Sequence, residues 1–358
     1  MRIAVTGASG FVGGAVVADA VARGHEVLAL SRRPAVCDGV TWRHWDVTSG
    51  RLAQAPEVDV VVHAAARVGE HGRSSDFARA NVAGTAAVLE SFPGARLVHV
   101  SSASVYDPFV PTVQGREGEA PVWRYLGRYA ASKAAAERYL LARAHRAGGG
   151  VVILRPHAVY GPGDTTLLPR IESAVRGRRL VIAGDGRTLQ SLTHIENLLA
   201  AVRAAAQLDV RELVVPRFGT DPFGTDPPGT DPSGTDPRGT DPPGTDALGA
   251  GPAAIVANVA DAHPVVLRDV LLELLARRGR PDVEVIGVPL PVASTLARVA
   301  ELAAWLDPRG PGTPPREPRL SRYAISHLAL ERTLDLSVLR HRLGVDPAPT
   351  DLTGAEHW

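Results

Sequence analysis

Short β-branched runs and Ala-rich amphipathic stretches alternate over the first 160 or so residues. Ile3 to Thr6, Val27 to Leu30, Val58 to His63, Leu97 to Ser101 and Val151 to Leu154 are near-continuous apolar runs, as strands buried on both faces require. Between them, Val12 to Arg23, Asp76 to Ser91 and Tyr129 to Arg146 carry helical spacing. Regular alternation of this kind predicts an α/β chain with a doubly wound parallel sheet and crossover helices. Further on, the pattern predicts helices over Leu167 to Arg176, Ile195 to Gln207 and Leu267 to Arg278, with strands over Leu180 to Ala183 and Ile255 to Val259.

Residues 1–165 are expected to form the sheet domain, with segments returning to it at about 190–215 and 254–262; the rest of 166–358 should form a smaller C-terminal α/β domain. Within that region Gly-Thr-Asp-Pro plus one variable residue repeats from Gly219 to Pro243, ending in Gly244-Thr245-Asp246-Ala247. Proline in every repeat blocks helix and sheet, so 219–248 reads as a disordered, turn-rich insertion in one connection. Asp at every fifth residue raises calcium binding, but known calcium loops supply more carboxylates per turn.

Composition narrows the function classes. With 39 Lys and Arg against 38 Asp and Glu, the formal charge of +1 offers no broad attraction for nucleic acid or an anionic membrane. Cys37 is the single cysteine, which excludes an intramolecular disulfide framework and multi-cysteine metal sites and suits a reducing, cytoplasmic setting. Arg2 to Thr6 opens directly as a strand without a charged leader, and no uninterrupted apolar run reaches the roughly 18 residues a span needs. A soluble chain without stable membrane insertion is expected. Ile286 to Leu306 is the most apolar stretch, yet Pro289, Pro291, Arg298 and Glu301 interrupt it, and it reads as an amphipathic helix near a pocket.

The first strand runs into Thr6-Gly7-Ala8-Ser9-Gly10-Phe11-Val12-Gly13, three glycines spaced three apart that open a helix. Glycine lets the backbone turn sharply and lets a pyrophosphate approach the helix N-terminus, where unpaired N–H groups favour an anion. Gly7, Ser9, Gly10, Phe11, Val12 and Gly13 are therefore candidate dinucleotide contacts. The second strand ends Leu30-Ser31-Arg32-Arg33, with no acid for a ribose 2′-hydroxyl; Ser31, Arg32 and Arg33 offer a hydroxyl and guanidinium groups for a 2′-phosphate, pointing to NADP with NAD as the other choice. Asp46, before Val47, is placed to bind the adenine amino group or to cap a turn. Tyr129 and Lys133, four apart, share a helix face, where the ammonium is expected to lower the phenol from its usual pKa of about 10. Ser102, Ser104 and Tyr106 follow a strand end, where open α/β sheets bind ligands, and a serine hydroxyl there can polarise a carbonyl that Tyr129 protonates. His194 and Glu196 resemble a metal pair but lack a third ligand at suitable spacing, so no metal is expected.

These residues resemble the extended short-chain dehydrogenase/reductase superfamily, in particular its NAD(P)-dependent epimerases and dehydratases. The resemblance is carried by Thr6 to Gly13, His63 to Ala66, Asn81 to Thr85, Ser102 to Tyr106, Tyr129 to Lys133 and Arg155 to Asp164. Arg155-Pro156-His157, Leu167 to Arg170, Thr193 to Asn197, Arg322-Tyr323 and Thr333 to Asp335 are more similar to bacterial 3β-hydroxysteroid dehydrogenase-like reductases. The resemblance implies a Rossmann domain beside a smaller substrate domain, with Ser102, Tyr129 and Lys133 as the catalytic triad. It further implies that Ala64, Ala65 and Ala66 line the nicotinamide side, that Pro156 abuts the carboxamide, and that Tyr129 and Lys133 also contact cofactor. Asn81 would join a proton relay or tie down a neighbouring strand. A homodimer through helices of the first domain is expected by analogy.

Departures from the family pattern shift the expected substrate. Sugar-nucleotide epimerases carry an asparagine where this chain has Ala158, and an arginine for the diphosphate where it has Gln190-Ser191-Leu192. Without those groups the expectation is hydride transfer between NADP(H) and a ketone or secondary alcohol on a small or apolar, sterol-like molecule, with Ser104, Tyr106 and His157 as candidate substrate contacts. The runner-up is a nucleotide-sugar epimerase, dehydratase or 4-ketoreductase using the same triad. A catalytically silent NADP-binding regulator is the third reading, and the intact triad argues against it.

Overall fold

The computed structural model describes residues 1–34, 38–69, 72–209, 254–306 and 321–358. Cys37 and the repeat from Gly219 to Asp246 lie outside the described residues, and so do the expectations placed on them.

In chain order the strands are β1 (Arg2–Thr6), β2 (Glu26–Ser31), β3 (Thr41–His44), β4 (Val60–His63), β5 (Arg96–Val100), β6 (Thr112–Gly115), β7 (Val151–Pro156), β8 (Val159–Tyr160), β9 (Val175–Arg176), β10 (Arg179–Ala183), β11 (Leu189–Gln190), β12 (Thr193–His194), β13 (Ala254–Val259), β14 (Val265–Val266), β15 (Glu284–Val288) and β16 (Arg332–Leu334). The helices are α1 (Phe11–Ala22), α2 (Ser74–Phe77), α3 (Gly84–Ser91), α4 (Arg128–Ala142), α5 (Leu167–Ala174), α6 (Ile195–Gln207), α7 (Leu267–Arg277), α8 (Leu290–Leu306), α9 (Arg322–Ala329) and α10 (Ser337–His341).

The main sheet is parallel, in the order β13-β7-β5-β4-β1-β2-β3. Successive strand residues face opposite layers, as the two-residue period demands. Ile3, Val5, Val60, Val62, Val98, Val100, Val152 and Leu154 join the core beneath α1 and α6, while Ala4, Val61, Leu97 and Ile153 join the core beneath α3 and α4. Both faces are covered, which is why these strands read as apolar runs. The strand order reverses between β1 and β4, so their carboxyl ends open a crevice there, the place where such sheets bind ligands.

Around this sheet the later segments build smaller ones: β15-β10-β9, β14-β11-β16-β6 and β12-β8. The stretch from Ile286 to Leu306 is two elements: β15 pairs with β10, and the chain then turns at Pro289 into α8. That helix turns Ala293 and Ala297 inward and leaves Val292, Leu296, Val299 and Leu302 exposed. No helix among the described residues is long and apolar enough to cross a membrane.

Candidate active site

Glycine shapes the loop after β1. Gly7 has φ +71°, a left-handed conformation, and a Cβ there would lie 2.7 Å from the Ala65 nitrogen. A Cβ on Gly13 would lie 2.2 Å from the Gly7 carbonyl oxygen. The loop therefore packs backbone to backbone against the end of β4, where the Ala64 N–H donates to the Thr6 carbonyl and the Ala65 N–H to the Thr6 hydroxyl, both at 3.3 Å. Gly10 caps α1 without a side-chain hydrogen bond, leaving first-turn N–H groups beside Ser9, Phe11 and Val12 to face an anion. A cradle that side chains would fill fits a dinucleotide pyrophosphate.

At the adenosine end the picture is mixed. The Ser31 hydroxyl donates to the Arg33 carbonyl at 2.5 Å and accepts from the Trp42 indole at 3.1 Å, so its proton is already used. Arg32 and Arg33 are exposed. Asp46 caps the turn Val47–Ser49 by accepting from the Thr48 N–H at 2.9 Å. Burial raises its carboxyl, but Thr48 and the charges of Arg32 and Arg79 outweigh this and hold it below its usual value. Arg32 thus sits close enough to feel Asp46, and one carboxylate oxygen serves the turn.

Tyr129 lies one residue into α4 from its first position, partly buried, with Ser102 near enough to its phenol to affect its acidity. Burial pushes its phenol up to about 12, and the nearby Ser102 hydroxyl only partly offsets this. The expected lowering by Lys133 is not what the structure shows. The Lys133 ammonium, 3% exposed, donates to the Val100 carbonyl at 2.7 Å, and burial pushes it down to about 8 against the opposing Glu137 carboxylate. Desolvation governs both groups, so at neutral pH the phenol carries its proton. Ser102 stands just past β5, its oxygen accepting from the Ser104 N–H at 3.1 Å. Ser102, Tyr129 and Lys133 are thus brought together at the carboxyl edge of the sheet.

Asn81 fixes the start of α4. The predicted helix from Asp76 to Ser91 is interrupted by a π-helical segment, Ala78–Ala83. From it Asn81 accepts from the Arg67 N–H at 2.7 Å and donates to the Arg67 carbonyl at 3.0 Å and the Ser132 hydroxyl at 2.8 Å; Ser132 in turn donates to the Tyr129 carbonyl at 2.7 Å. The amide ties the chain after β4 to the Tyr129 turn.

Two groups escaped the reading of the sequence. Glu137, one turn beyond Lys133, accepts from the Ser101 hydroxyl at 2.5 Å and from Arg155 at 2.7 Å, and neither member of that ion pair is exposed. Arg155 also donates to the carbonyls of Glu117 and Ala120, both at 2.9 Å. One carboxylate thereby fastens the ends of β5 and β7 to α4. Spacing of four from Tyr129 to Lys133 to Glu137 was a visible signal of a shared face. Glu137→Gln is expected to cost about 3–5 kcal/mol of unfolding free energy in urea, because the Arg155 charge stays buried without its counterion. Adding Arg155→Met to that variant should recover most of the loss, and no recovery would show that the pair is not the source.

His99 is the other, adjacent to His63 across β5 and β4 with ring centroids 5.1 Å apart. Thr85 spends its hydroxyl proton on the Asn81 carbonyl, so it accepts from His63 Nε2 at 3.0 Å, while His63 Nδ1 pairs with Thr6 at 2.7 Å. Both nitrogens of His99 are buried without a partner among the described residues.

The candidate substrate residues differ in placement. Tyr106 is 5% exposed and donates to Asn258 Oδ1 at 3.0 Å, so its hydroxyl is held within the protein. The Ser104 hydroxyl is buried without a partner among the described residues. Pro156 ends β7, and His157 after it donates Nδ1–H to the Ser191 carbonyl at 2.5 Å. Ala158 has φ +47°, a conformation that asparagine tolerates better than alanine. Gln190 donates to the Leu330 carbonyl at 2.9 Å and the Ser191 hydroxyl accepts from the Leu334 N–H at 3.1 Å, so both are spent on neighbouring backbone.

The profile of the NAD dependent epimerase/dehydratase family matches residues 3–214. The chain is 30% identical to the 4-hydroxy-2-methyl-3-oxo-4-farnesyl-3,4-dihydroquinoline-1-oxide ketoreductase of Stigmatella aurantiaca, over 96% of this chain and 91% of that one. It is 30% identical to the 2-alkyl-3-oxoalkanoate reductase of Stenotrophomonas maltophilia, over 97% and 95%. 3-beta-Hydroxysteroid dehydrogenases match over shorter stretches. Among solved structures, MoeE5 in complex with UDP-glucuronic acid and NAD superposes with a TM-score of 0.64 at 24% identity, covering 98% of this chain and 95% of MoeE5, which is a likeness of fold.

Proposed function

The chain belongs to the NAD dependent epimerase/dehydratase family and is an NAD(P)-dependent enzyme of the extended short-chain dehydrogenase/reductase type, and from that premise we propose that it is an NADP(H)-dependent ketone reductase. The observation that carries this reading is the placement of the protonated Tyr129 phenol beside Ser102 at the carboxyl edge of the sheet. A ketone whose oxygen meets those two hydroxyls has a polarising donor in Ser102 and a proton source in Tyr129. The bound nicotinamide would supply the hydride. Lys133, one turn further along α4 and anchored on the Val100 carbonyl, would hold the nicotinamide ribose. The two full-length relatives named above are both reductases of oxo compounds, which supports the same direction.

An apolar or uncharged substrate is favoured by what surrounds this edge. Alanine at 158 is kept in a backbone conformation that asparagine would ease, and the polar side chains at 190 and 191 are already paired within the protein. Preference for NADP rests on Arg32 and Arg33, exposed at the end of β2 with no carboxylate on that strand end. One set of assays tests the whole proposal. Ketones with NADPH are expected to turn over, UDP- and dTDP-sugars are expected to be neither bound at micromolar concentration nor converted, and Arg32→Ala should weaken NADPH about tenfold while leaving NADH nearly unchanged. Tighter NADH binding by the wild type would remove the NADP assignment, and saturable nucleotide-sugar binding would replace the ketone.

A further inference from the structure

We propose that Tyr323, His327 and His157 form a ring-lined wall of the substrate cleft that selects flat, unsaturated, uncharged ketones; this deepens the ketone-reductase reading and rests on it. The three rings come from distant parts of the chain. His157 follows β7, whereas Tyr323 and His327 lie one turn apart on α9. The His157 and His327 rings are nearly parallel, 26° between planes with centroids 5.9 Å apart, and Tyr323 meets His327 edge-on at 4.3 Å. At its other end the band rests on the start of α4: a Cβ on Gly127 would lie 3.0 Å from Tyr323 Cδ2. Gly127 caps the helix whose second residue is Tyr129. The band therefore runs from the end of β7 to the turn that carries the proton donor. Tyr323 and His327 remain partly exposed, as residues lining a cleft are.

Charge decides what such a wall accepts. His157 holds its proton on Nδ1 for the Ser191 carbonyl, which leaves Nε2 as an acceptor on a neutral ring. Burial keeps both imidazoles uncharged at neutral pH, and the Arg332 guanidinium facing them works in the same direction. That guanidinium is itself spent on neutral oxygens: the carbonyls of Asp107, Pro108, Val110 and Ser326 and the hydroxyl of Thr112. The wall thus presents π faces and ring edges, and the guanidinium behind it has no N–H left to bond a substrate carboxylate. Ring edges and faces reward another π system beyond the area they bury, whereas a merely apolar wall rewards the more hydrophobic saturated ring.

This difference gives the test. Enzyme loaded with oxidised cofactor, NADP+ or NAD+, is titrated calorimetrically with acetophenone, with cyclohexyl methyl ketone and with 4-acetylbenzoate, so that binding is read without turnover. Acetophenone is expected to bind about tenfold more tightly than the saturated ketone, the order of two ordinary ring contacts, and about tenfold or more tightly than the carboxylate. His327→Leu and Tyr323→Leu should each cut the first ratio to about threefold. Equal binding of the two uncharged ketones by the wild type, or a ratio still near tenfold in both variants, overturns the ring wall; equal binding of 4-acetylbenzoate overturns the exclusion of charge. Failure of the reductase reading looks different: the binding ratio persists, yet no ketone is reduced with NADPH or NADH.

Discussion

Tyr129→Phe is expected to lower kcat for ketone reduction by about a hundred- to ten-thousand-fold while leaving cofactor affinity within about twofold. That range is what a positioned general acid typically contributes. The hydroxyl is the only group removed, and the ring stays to pack at the start of α4. The structure sharpens the expectation, because burial holds the phenol at about 12 and so delivers it protonated at neutral pH. Lys133→Met should behave differently. Its ammonium reaches the Val100 carbonyl and stands one turn from Tyr129, so its loss should impair both turnover and cofactor binding. The pair of variants separates proton donation from positioning, since only the first predicts a pure kcat effect. A near-normal kcat in Tyr129→Phe, measured in single turnovers with NADPH, would assign the proton to another group.

How much of this site the sequence disclosed follows from which interactions are local. The glycine loop, the Tyr129–Lys133 spacing and Ser102 all sit in contiguous motifs, and the apolar runs of β1, β4, β5 and β7 announce strands covered on both faces. Helix α6 occupies the residues its periodicity marks, from Ile195 to Gln207. Strand β3 gave no such signal, because it is a mostly exposed edge strand without an apolar face. The helix expected over 76–91 is broken because Asn81 and Thr85 use their side chains to join β4 and α4, a tertiary demand that propensity does not record. Glu137 and Arg155 lie 18 residues apart on a helix and a strand, and the Tyr323–His327–His157 band joins residues more than 160 apart. Contacts across such distances leave no mark in the spacing of either partner.

Acid should destabilise this protein steeply between about pH 6 and pH 4, and the cause is three buried imidazoles, His63, His99 and His157, together with the partly exposed His327. Burial pushes His63 down to about 3 and His157 to about 4, with the charges of Lys133 on the first and Arg332 on the second adding to it. His99 and His327 are lowered well below the usual histidine value, again mainly by burial. The sign follows from proton counting. Below about pH 6.5 the unfolded chain takes up a proton at each of these positions, while the native state leaves the rings neutral. Stability is therefore fully present above that pH and falls with further acidification, until the native rings themselves titrate. Four such groups together give a slope of up to about 5 kcal/mol for each pH unit, enough to exhaust an ordinary domain's stability within about two units. Urea unfolding at pH 7.5, 6.0 and 5.0 measures it, and an unchanged unfolding free energy at pH 5.0 would mean that the native rings accept protons. His99 provides the sharper check. Its two nitrogens are buried without partners among the described residues, so the ring carries a desolvation cost that an apolar side chain of similar size does not. His99→Leu is expected to leave the protein at least as stable at pH 7.5 and to flatten the acid slope by about a quarter. A loss of stability at pH 7.5 with the slope intact would show instead that the imidazole is held by an interaction that leucine cannot replace.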